Sequence, residues 1–246
     1  MGSNSTVDTD EIARFSALAD EWWDTGGSFQ PLHKFNPVRL QFIRDRLAAH
    51  HGRDPLAPEP LAGLEILDVG CGGGLICEPL CRLGSTVTGI DASDKNIGVA
   101  RIHAERVGLD IDYRHEAAED LPVEDRSFDA VLSLEVVEHV ADVRTFVTAC
   151  CGLVRPGGIA IFATLNRTAK SFAFAIVGAE YVLRWLPRGT HDWRRFIRPS
   201  ELARHVRDGG ARVSEVTGVG YDIMTDQWRL TRDVSVNYMV LAEKNG

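Results

Sequence analysis

A short glycine turn constrains the fold of this chain more than any other feature. The turn follows an apolar run that ends at Val69, carries Gly70, Gly72 and Gly74, and leads into a second apolar run. Glycine has no Cβ, so a ligand can lie directly against the backbone of such a turn. The pattern predicts a buried strand that turns tightly into a helix, with a ligand site at the turn.

The spacing of these glycines indicates the class of ligand. A dinucleotide site follows G-x-G-x-x-G, but here the third glycine comes one position earlier, a form typical of S-adenosylmethionine (SAM) sites. Asp91 follows 21 residues after Gly70 at the end of another apolar run, where its carboxylate can accept hydrogen bonds from a ribose diol. The chain resembles the class I SAM-dependent methyltransferases, and a nicotinamide dehydrogenase is disfavoured.

Strand-like and helix-like segments alternate after this turn. The strand candidates are 65–70, 85–91, 111–115, 128–134 and 158–165, and the helix candidates are 74–83, 93–107 and 142–154. This order predicts a doubly wound α/β fold with a parallel sheet and helices on both faces. Two later strands, 211–219 and 235–243, would complete a seven-stranded Rossmann-like sheet as an antiparallel hairpin. The residues 155–158 are expected to form a turn before the fifth strand.

Two further parts surround this core. Residues 1–60 predict an N-terminal helical cover, with one helix over 8–24 and a second that begins after Pro37 and ends near His50. His33 would lie in the loop between them, and a proline-rich joint over 54–60 would lead into the methyltransferase domain, 61–246. The interval 167–199 is too long for a plain connection, so we expect it to be a helical insertion over the site.

Composition narrows the function classes. The net charge of −8 argues against a basic nucleic-acid-binding protein. Five cysteines, an odd number, and the absence of a signal-like N-terminal segment favour reduced thiols in a cytoplasmic protein. No apolar run reaches the roughly 18 residues that a spanning helix needs.

Other residues are candidates for cofactor contacts. Ala118 and Glu119 follow the third strand in a segment that resembles the adenine-contacting loop of methyltransferases, although Glu119 taken alone would be interpreted as a solvated loop carboxylate. Arg39, near the start of its helix, is either a solvated cation or a bidentate clamp for the SAM carboxylate.

The end of the fourth strand carries the candidate catalytic residues. Glu135, Glu138 and His139 stand at i, i+3 and i+4, which on a helical turn places them on one face. Such a set can hold Mg²⁺, and His139 can remove a proton from a phenol, whose pKa is about 10. Metal-free methyltransferases carry similar sequences that cap a helix and line the pocket, so both interpretations stay open.

The insertion is apolar and basic. From Arg167 to Arg198 there are seven Lys or Arg and two acids, a net charge of about +5 in a chain of −8. Apolar residues flanked by arginines are typical of an interfacial membrane helix, and the alternative is a buried lid helix with charged ends. We expect peripheral membrane contact through 170–198.

The chain resembles the ubiquinone-biosynthesis O-methyltransferases over nearly its whole length. Beyond the glycine turn, the resemblance is carried by segments 22–24, 29–33, 36–40, 135–139, 164–167, 177–181, 189–192 and 236–239. It implies SAM contacts at Arg39, Gly70, Asp91 and Leu134, and favours the metal at Glu135, Glu138 and His139.

The same resemblance implies the substrates and the surroundings of the enzyme. It implies two O-methylations, on a 2-polyprenyl-6-hydroxyphenol and on a 3-demethylubiquinol, at the inner membrane and alongside other ubiquinone-biosynthesis enzymes. The alternatives are a C- or N-methyltransferase that acts on a small soluble substrate, or a SAM-binding scaffold without turnover.

Overall fold

An eight-stranded mixed sheet forms the centre of the molecule in the order β3-β2-β1-β4-β5-β8-β6-β7. The computed structural model describes residues 8, 10, 21–121, 127–173, 192–222 and 224–246. The strands are β1 (Glu65–Val69), β2 (Thr86–Asp91), β3 (Asp112–His115), β4 (Phe128–Leu134), β5 (Val154–Leu165), β6 (Ala211–Asp222), β7 (Gln227–Thr231) and β8 (Asn237–Lys244). The first five are parallel, and β8 runs antiparallel between β5 and β6.

Helices cover both faces of this sheet, as the sequence predicts. They are α1 (Gln30–His50), α2 (Cys77–Arg82), α3 (Asp94–Arg106), α4 (Val143–Gly152) and α5 (Pro199–Asp208). On β1, Ile66 packs in the core cluster that contains Phe42 of α1, whereas its neighbour Leu67 packs in the cluster that contains Phe146 of α4. Successive side chains of a strand point to opposite faces, so buried parallel strands have the continuous apolar runs seen in the sequence.

The start of α1 differs from the prediction. The helix begins at Gln30 and not after Pro37, so Pro37 lies inside it and His33 lies on the helix and not in a loop. Proline lacks the N–H that an interior helical position donates, which is why the sequence indicates a boundary there. Buried Phe42, Ile43 and Leu47 in the later turns hold the helix against the core despite this lost bond.

Two strand predictions also need correction. The fifth strand begins at Val154, and residues 155–158 form a bulge within it, because Val154 pairs with Phe128 while Ile159 already pairs with Ala130. The sheet has eight strands and not seven. The loop between the two late strands contains β7, which pairs antiparallel with the outer edge of β6.

Parts of the N-terminal cover and of the insertion lie outside the described residues, namely most of the predicted helix 8–24 and the central residues 174–191. Within the described part, residues 21–24 form a tight turn, in which the Asp24 N–H donates to the Glu21 carbonyl at 3.0 Å. None of the helices that the structure describes has the combination of length and apolar character needed to span a membrane.

Candidate cofactor and active site

The candidate residues lie at the edge where β1, β2 and β4 end. The strand order reverses between β1 and β4, and the crevice at such a reversal is where open α/β sheets bind their ligands. Residues that are far apart in sequence meet there. A Cβ on Gly70 would overlap the side chain of Val136, so the turn after β1 lies directly against the turn after β4.

The glycine turn has the conformation that its sequence demands. Gly70, Gly72 and Gly74 all have positive φ, at 77°, 54° and 88°. At Gly72 a Cβ would also lie 2.5 Å from two ring carbons of Trp22. Both the left-handed backbone and the close contact therefore require glycine at this position.

Asp91 lies at the end of β2 and is joined to the glycine turn. Its Oδ2 accepts from the Gly72 N–H at 2.9 Å, and its Oδ1 accepts from the Ser93 N–H at 2.8 Å and from Asn96 Nδ2 at 3.2 Å. Burial raises the pKa of this carboxyl, and the hydrogen bonds oppose that shift. The carboxylate is thus held in place at the position predicted for ribose recognition.

The N-terminal segment covers this turn with two indoles. The Trp22 ring stacks on Phe29 with 3.9 Å between ring centroids, and its Nε1 donates to Asn96 Oδ1 at 3.0 Å. Trp23 Nε1 donates to the Gly73 carbonyl at 2.9 Å, and its ring stacks on His103 of α3 at 3.5 Å. The segment predicted as a cover therefore contacts the site itself.

Arg39 is a buried cation whose partner is Glu135. The side chain of Arg39 is 3% exposed, its Nη2 lies 2.5 Å from Glu135 Oε1, and its Nη1 donates to Asn36 Oδ1 at 3.1 Å. The guanidinium carbon lies 3.7 Å from the centroid of the Phe35 ring. Burial lowers the pKa of Arg39 and the charge of Glu135 opposes that shift. Arg39 is thus not the solvated helix cation considered from sequence, and it can receive a carboxylate.

The turn after β4 is not the helical turn assumed from sequence. Glu135 has a φ of 56°, in the left-handed region, so the spacing of a helix does not apply from this residue onward. The chain turns only afterwards, where the His139 N–H donates to the Val136 carbonyl at 2.8 Å. The Glu135 N–H donates to Ala163 of β5 at 2.9 Å, which fixes the unusual conformation.

Glu138 lies on the buried side of this turn. Its Oε2 accepts from Thr164 Oγ1 at 2.7 Å, and the residue is 3% exposed. Burial, reinforced by the charge of Glu135, raises the pKa of Glu138 well above its usual range. Burial and the charge of Glu135 thus disfavour the charged form of a carboxyl group that lies next to the predicted base His139 in sequence.

The predicted Mg²⁺ ligands are not assembled as a set. Glu135 is engaged by Arg39, while Glu138 is engaged by Thr164. Over the described ranges, no three His, Cys, Asp or Glu side chains are placed to hold one metal ion. Glu135, Glu138 and His139, as placed in the structure, do not fit a Mg²⁺ site.

The remaining predicted contacts lie at neighbouring strand ends. Ala118 is buried in a 3₁₀ turn, Ala118–Asp120, with Glu119 beside it, and Leu134 is the last residue of β4. The contacts of Ala118 and Glu119 with adenine, and of Leu134 with SAM, stay predictions. All five cysteines have free thiols.

Comparison with known proteins agrees with this geometry. A family model described as a methyltransferase domain matches residues 67–162. A ubiquinone biosynthesis O-methyltransferase from Chelativorans sp. (strain BNC1) is 57% identical over 98% of this chain and 95% of its own length. This chain belongs to that family. A second relative of the same name, from Methylobacterium sp. (strain 4-46), is 55% identical over 97% of the chain and 96% of its own length.

Solved structures confirm the fold of this family member. A SAM-dependent methyltransferase from Thermotoga maritima, described as a possible histamine N-methyltransferase, has a TM-score of 0.63 at 18% identity and covers 96% of this chain and 100% of its own. Magnesium protoporphyrin IX methyltransferase from Synechocystis PCC 6803, solved with SAH, has a TM-score of 0.60 at 18% identity and covers 94% and 99%. The chain is therefore a SAM-dependent methyltransferase of class I.

Sequence reasoning missed residues that act through others. Asn96 supports Asp91, and Thr164 supports Glu138. Asp68 was also missed, although it lies two residues before Gly70, where burial raises the pKa of its carboxyl to about 7. Its position in the last residues of a buried strand, next to the glycine turn, was the available signal.

Proposed function

We propose that this protein transfers a methyl group from SAM to ring hydroxyls of polyprenylated phenols, namely a 2-polyprenyl-6-hydroxyphenol and a 3-demethylubiquinol. The observation that carries the proposal is the identity of 57%, over 98% of the chain, with a ubiquinone biosynthesis O-methyltransferase. The turn after β4, which lies against the glycine turn through Val136, carries Glu138 and His139, a carboxyl and an imidazole of the kinds that a phenol substrate needs.

The cofactor would be held by residues of four strand ends and of α1. The glycine turn takes the methionine part, Asp91 takes the ribose, and Ala118 and Glu119 flank the adenine. Arg39 would receive the carboxylate of the cofactor, because its buried Nε has no acceptor among the residues that the structure describes. SAM supplies a methyl group that its sulfonium has already activated, so positioning of the phenol provides much of the rate.

His139 is the base in this proposal. A phenol has a pKa of about 10, so methylation of its oxygen near neutral pH requires removal of that proton. Glu138 lies next to His139 in sequence and is held in place by Thr164. We expect the variant His139→Ala to lose roughly 100-fold in kcat, with SAH affinity unchanged.

The control for this test is His50→Ala, which removes an exposed imidazole at the far end of α1. That variant should keep the full rate. A rate in His139→Ala equal to the rate of the wild type, with and without Mg²⁺, would remove the catalytic role of His139. The chelator arm of the same assay tests the metal separately.

The protein would act in the cytoplasm, peripherally at the inner membrane, through residues 170–198. A polyprenyl chain partitions into the bilayer, so its ring must be taken up from the membrane surface. In the described parts of the insertion, three basic side chains form ion pairs within the protein: Arg167 with Glu201, Lys170 with Asp233 and Arg195 with Asp8. Their charges are therefore less available to anionic lipids. The arginines at 184 and 188, inside the insertion, are therefore the ones to test.

Anionic liposomes test this contact. The double variant Arg184→Gln/Arg188→Gln should lose most co-sedimentation with phosphatidylglycerol vesicles, since each arginine near an anionic surface adds roughly 1 kcal/mol. Arg204→Gln/Arg207→Gln removes the same charge from the exposed side of α5 and should keep it. Equal binding by both double variants would refute the proposed contact. Association with other ubiquinone-biosynthesis enzymes would be tested by co-purification.

A further inference from the structure

Asp91 does not stand alone at the cofactor site, because a hydrogen-bond chain joins it to the N-terminal segment. Trp22 Nε1 donates to Asn96 Oδ1 at 3.0 Å, and Asn96 Nδ2 donates to Asp91 Oδ1 at 3.2 Å. Asn96 is 3% exposed and Trp22 is 9% exposed. The three side chains come from the segment before α1, from α3 and from β2, so this contact is tertiary and not local.

The chemistry of the three side chains fixes which atom donates in each of these hydrogen bonds. An indole N–H is only a donor, so it must face the oxygen of the Asn96 amide. The amide nitrogen is thereby turned toward Asp91, where an ionised carboxylate is only an acceptor. Each end of the amide is thus assigned by its partner. A flipped amide would place its nitrogen, a donor, against the indole N–H and its oxygen, an acceptor, against the carboxylate.

We propose that Asn96 and Trp22 are positioning residues of the cofactor site, which hold the Asp91 carboxylate in the orientation that receives the ribose hydroxyls. The inference rests on the assignment of Asp91 to the ribose. Asp91 already accepts from Gly72, Ser93 and Asn96, which fixes both of its oxygens before a ligand arrives. Such preorganisation removes an ordering cost from binding.

The position of Trp22 extends this role to the glycine turn. Its ring lies against Gly72 and Gly73, at distances that leave no room for a Cβ on either residue. The Gly72 N–H is itself a donor to Asp91. One indole therefore touches the turn with its ring and reaches the carboxylate through its nitrogen, so the N-terminal segment and the ribose contact are set together.

The test compares two ligands by calorimetry on the full chain: SAH and an analogue of SAH whose ribose lacks both hydroxyls. Asn96→Ala should weaken SAH binding roughly tenfold, because it removes a hydrogen bond to a charged group, and should leave the dideoxy analogue within about twofold. The Ser93 cap of α3 survives this change, because it uses the backbone N–H of residue 96. A merely structural role would weaken both ligands alike.

A second variant keeps the test independent of the folding of the first. Trp22→Phe keeps an aromatic ring on the turn but removes the indole donor together with part of the ring surface that lies against Gly72. The lost surface can weaken both ligands, so the expected result is a reduced preference for SAH over the dideoxy analogue. Trp228→Phe, on the edge strand β7, is the matched control and should bind both ligands as the wild type does. The double variant Trp22→Phe/Asn96→Ala should lose no more of the preference for SAH than Asn96→Ala does, because both changes break the same series of hydrogen bonds.

The outcomes separate this inference from the assignment on which it rests. If Asp91→Ala binds SAH as tightly as the wild type, the ribose assignment itself fails. If Asp91→Ala loses the preference for SAH over the dideoxy analogue but Asn96→Ala and Trp22→Phe keep it, the positioning chain is wrong. Additive losses of the preference for SAH in the double variant would also overturn it.

Discussion

At the scale of single residues, Gly72 is a position of the site that does not tolerate a side chain. Its φ of 54° and a Cβ position only 2.5 Å from Trp22 mean that any side chain brings both strain and a clash. We expect Gly72→Ala to weaken SAH binding more than tenfold. It should lower the free energy of unfolding by more than the roughly 1–2 kcal/mol that a left-handed residue with a Cβ costs, because the clash with Trp22 adds to the strain. Calorimetry and urea denaturation measure the two effects.

A matched glycine separates backbone strain from the effect on the site. Gly52 has a φ of 64°, but nothing lies within 4 Å of its Cβ position. Gly52→Ala should therefore lose only the roughly 1–2 kcal/mol that the strain costs and keep the SAH affinity of the wild type. Equal SAH affinity in both variants would contradict the role of the turn.

Asp68 makes a prediction about pH. Burial raises the pKa of this carboxyl to about 7 from an ordinary value of 3.8. Between those values the native state holds a proton that the unfolded chain releases, so this group lowers the free energy of unfolding as the pH rises. Asp68→Asn removes the titration. The free energy of unfolding of the variant, relative to the wild type, should therefore increase from pH 4 to 7 and then level off.

The size of this effect follows from the shift, at roughly 1.4 kcal/mol per pKa unit, and amounts to a few kcal/mol at most. Urea denaturation of both proteins at several pH values between 4.5 and 8 measures it. A difference that stays constant over this range would show that Asp68 titrates normally.

The site residues could be predicted from the sequence where local backbone structure requires them. They could not where contacts between distant parts of the chain determine their conformation. The glycine turn and Asp91 follow from spacing along buried strands. The conformation of Glu135 does not, because its left-handed φ is stabilised by a bond to Ala163 on another strand. Asn96 was missed for the same reason, since its partner Trp22 lies 74 positions away.

At the scale of elements, α1 contains an apparent conflict between local sequence and tertiary structure. Pro37 interrupts the helical hydrogen bonds, yet the helix continues to His50. An interior proline costs a helix about 3 kcal/mol, while its restricted unfolded state returns about 1 kcal/mol. Pro37→Ala should therefore raise the free energy of unfolding by roughly 1–2 kcal/mol, as measured by urea denaturation.

The same helix provides the comparison for that measurement. Pro31 lies in the first turn of α1, where a backbone N–H has no acceptor within the helix. The missing N–H of proline therefore costs nothing at this position. Pro31→Ala should be neutral or slightly destabilising. Stabilisation by both substitutions, or by neither, would contradict the argument from the interior position.

Element order was predictable because continuous apolar runs, each followed by a turn and a helical segment, are typical of buried parallel strands. The boundaries that failed depend on tertiary contacts. The residues 155–158 look like a turn by composition, but pairing of Val154 with Phe128 extends the strand through them. Strand β7 escaped because it is short and its only neighbour in the sheet is β6.

At the scale of the whole molecule, the fold supplies the cofactor site and the additions around it supply specificity. The parallel sheet with its reversal between β1 and β4 is shared with methyltransferases at 18% identity. The segment that carries Trp22 and the insertion after β5 lie outside the matched methyltransferase domain, 67–162, but within the 98% of the chain that aligns with its relative. We therefore expect substrate choice to depend on these additions.

The most direct test of the central claim is methyl transfer by the purified protein from SAM carrying a deuterated methyl group to a reduced 3-demethylubiquinol. Mass spectrometry and NMR of the recovered ring compound locate the label. We expect one labelled methyl on the ring oxygen, formed at a rate that falls roughly 100-fold in His139→Ala. Label on a ring carbon, or no transfer by a protein that binds SAH normally, would contradict it.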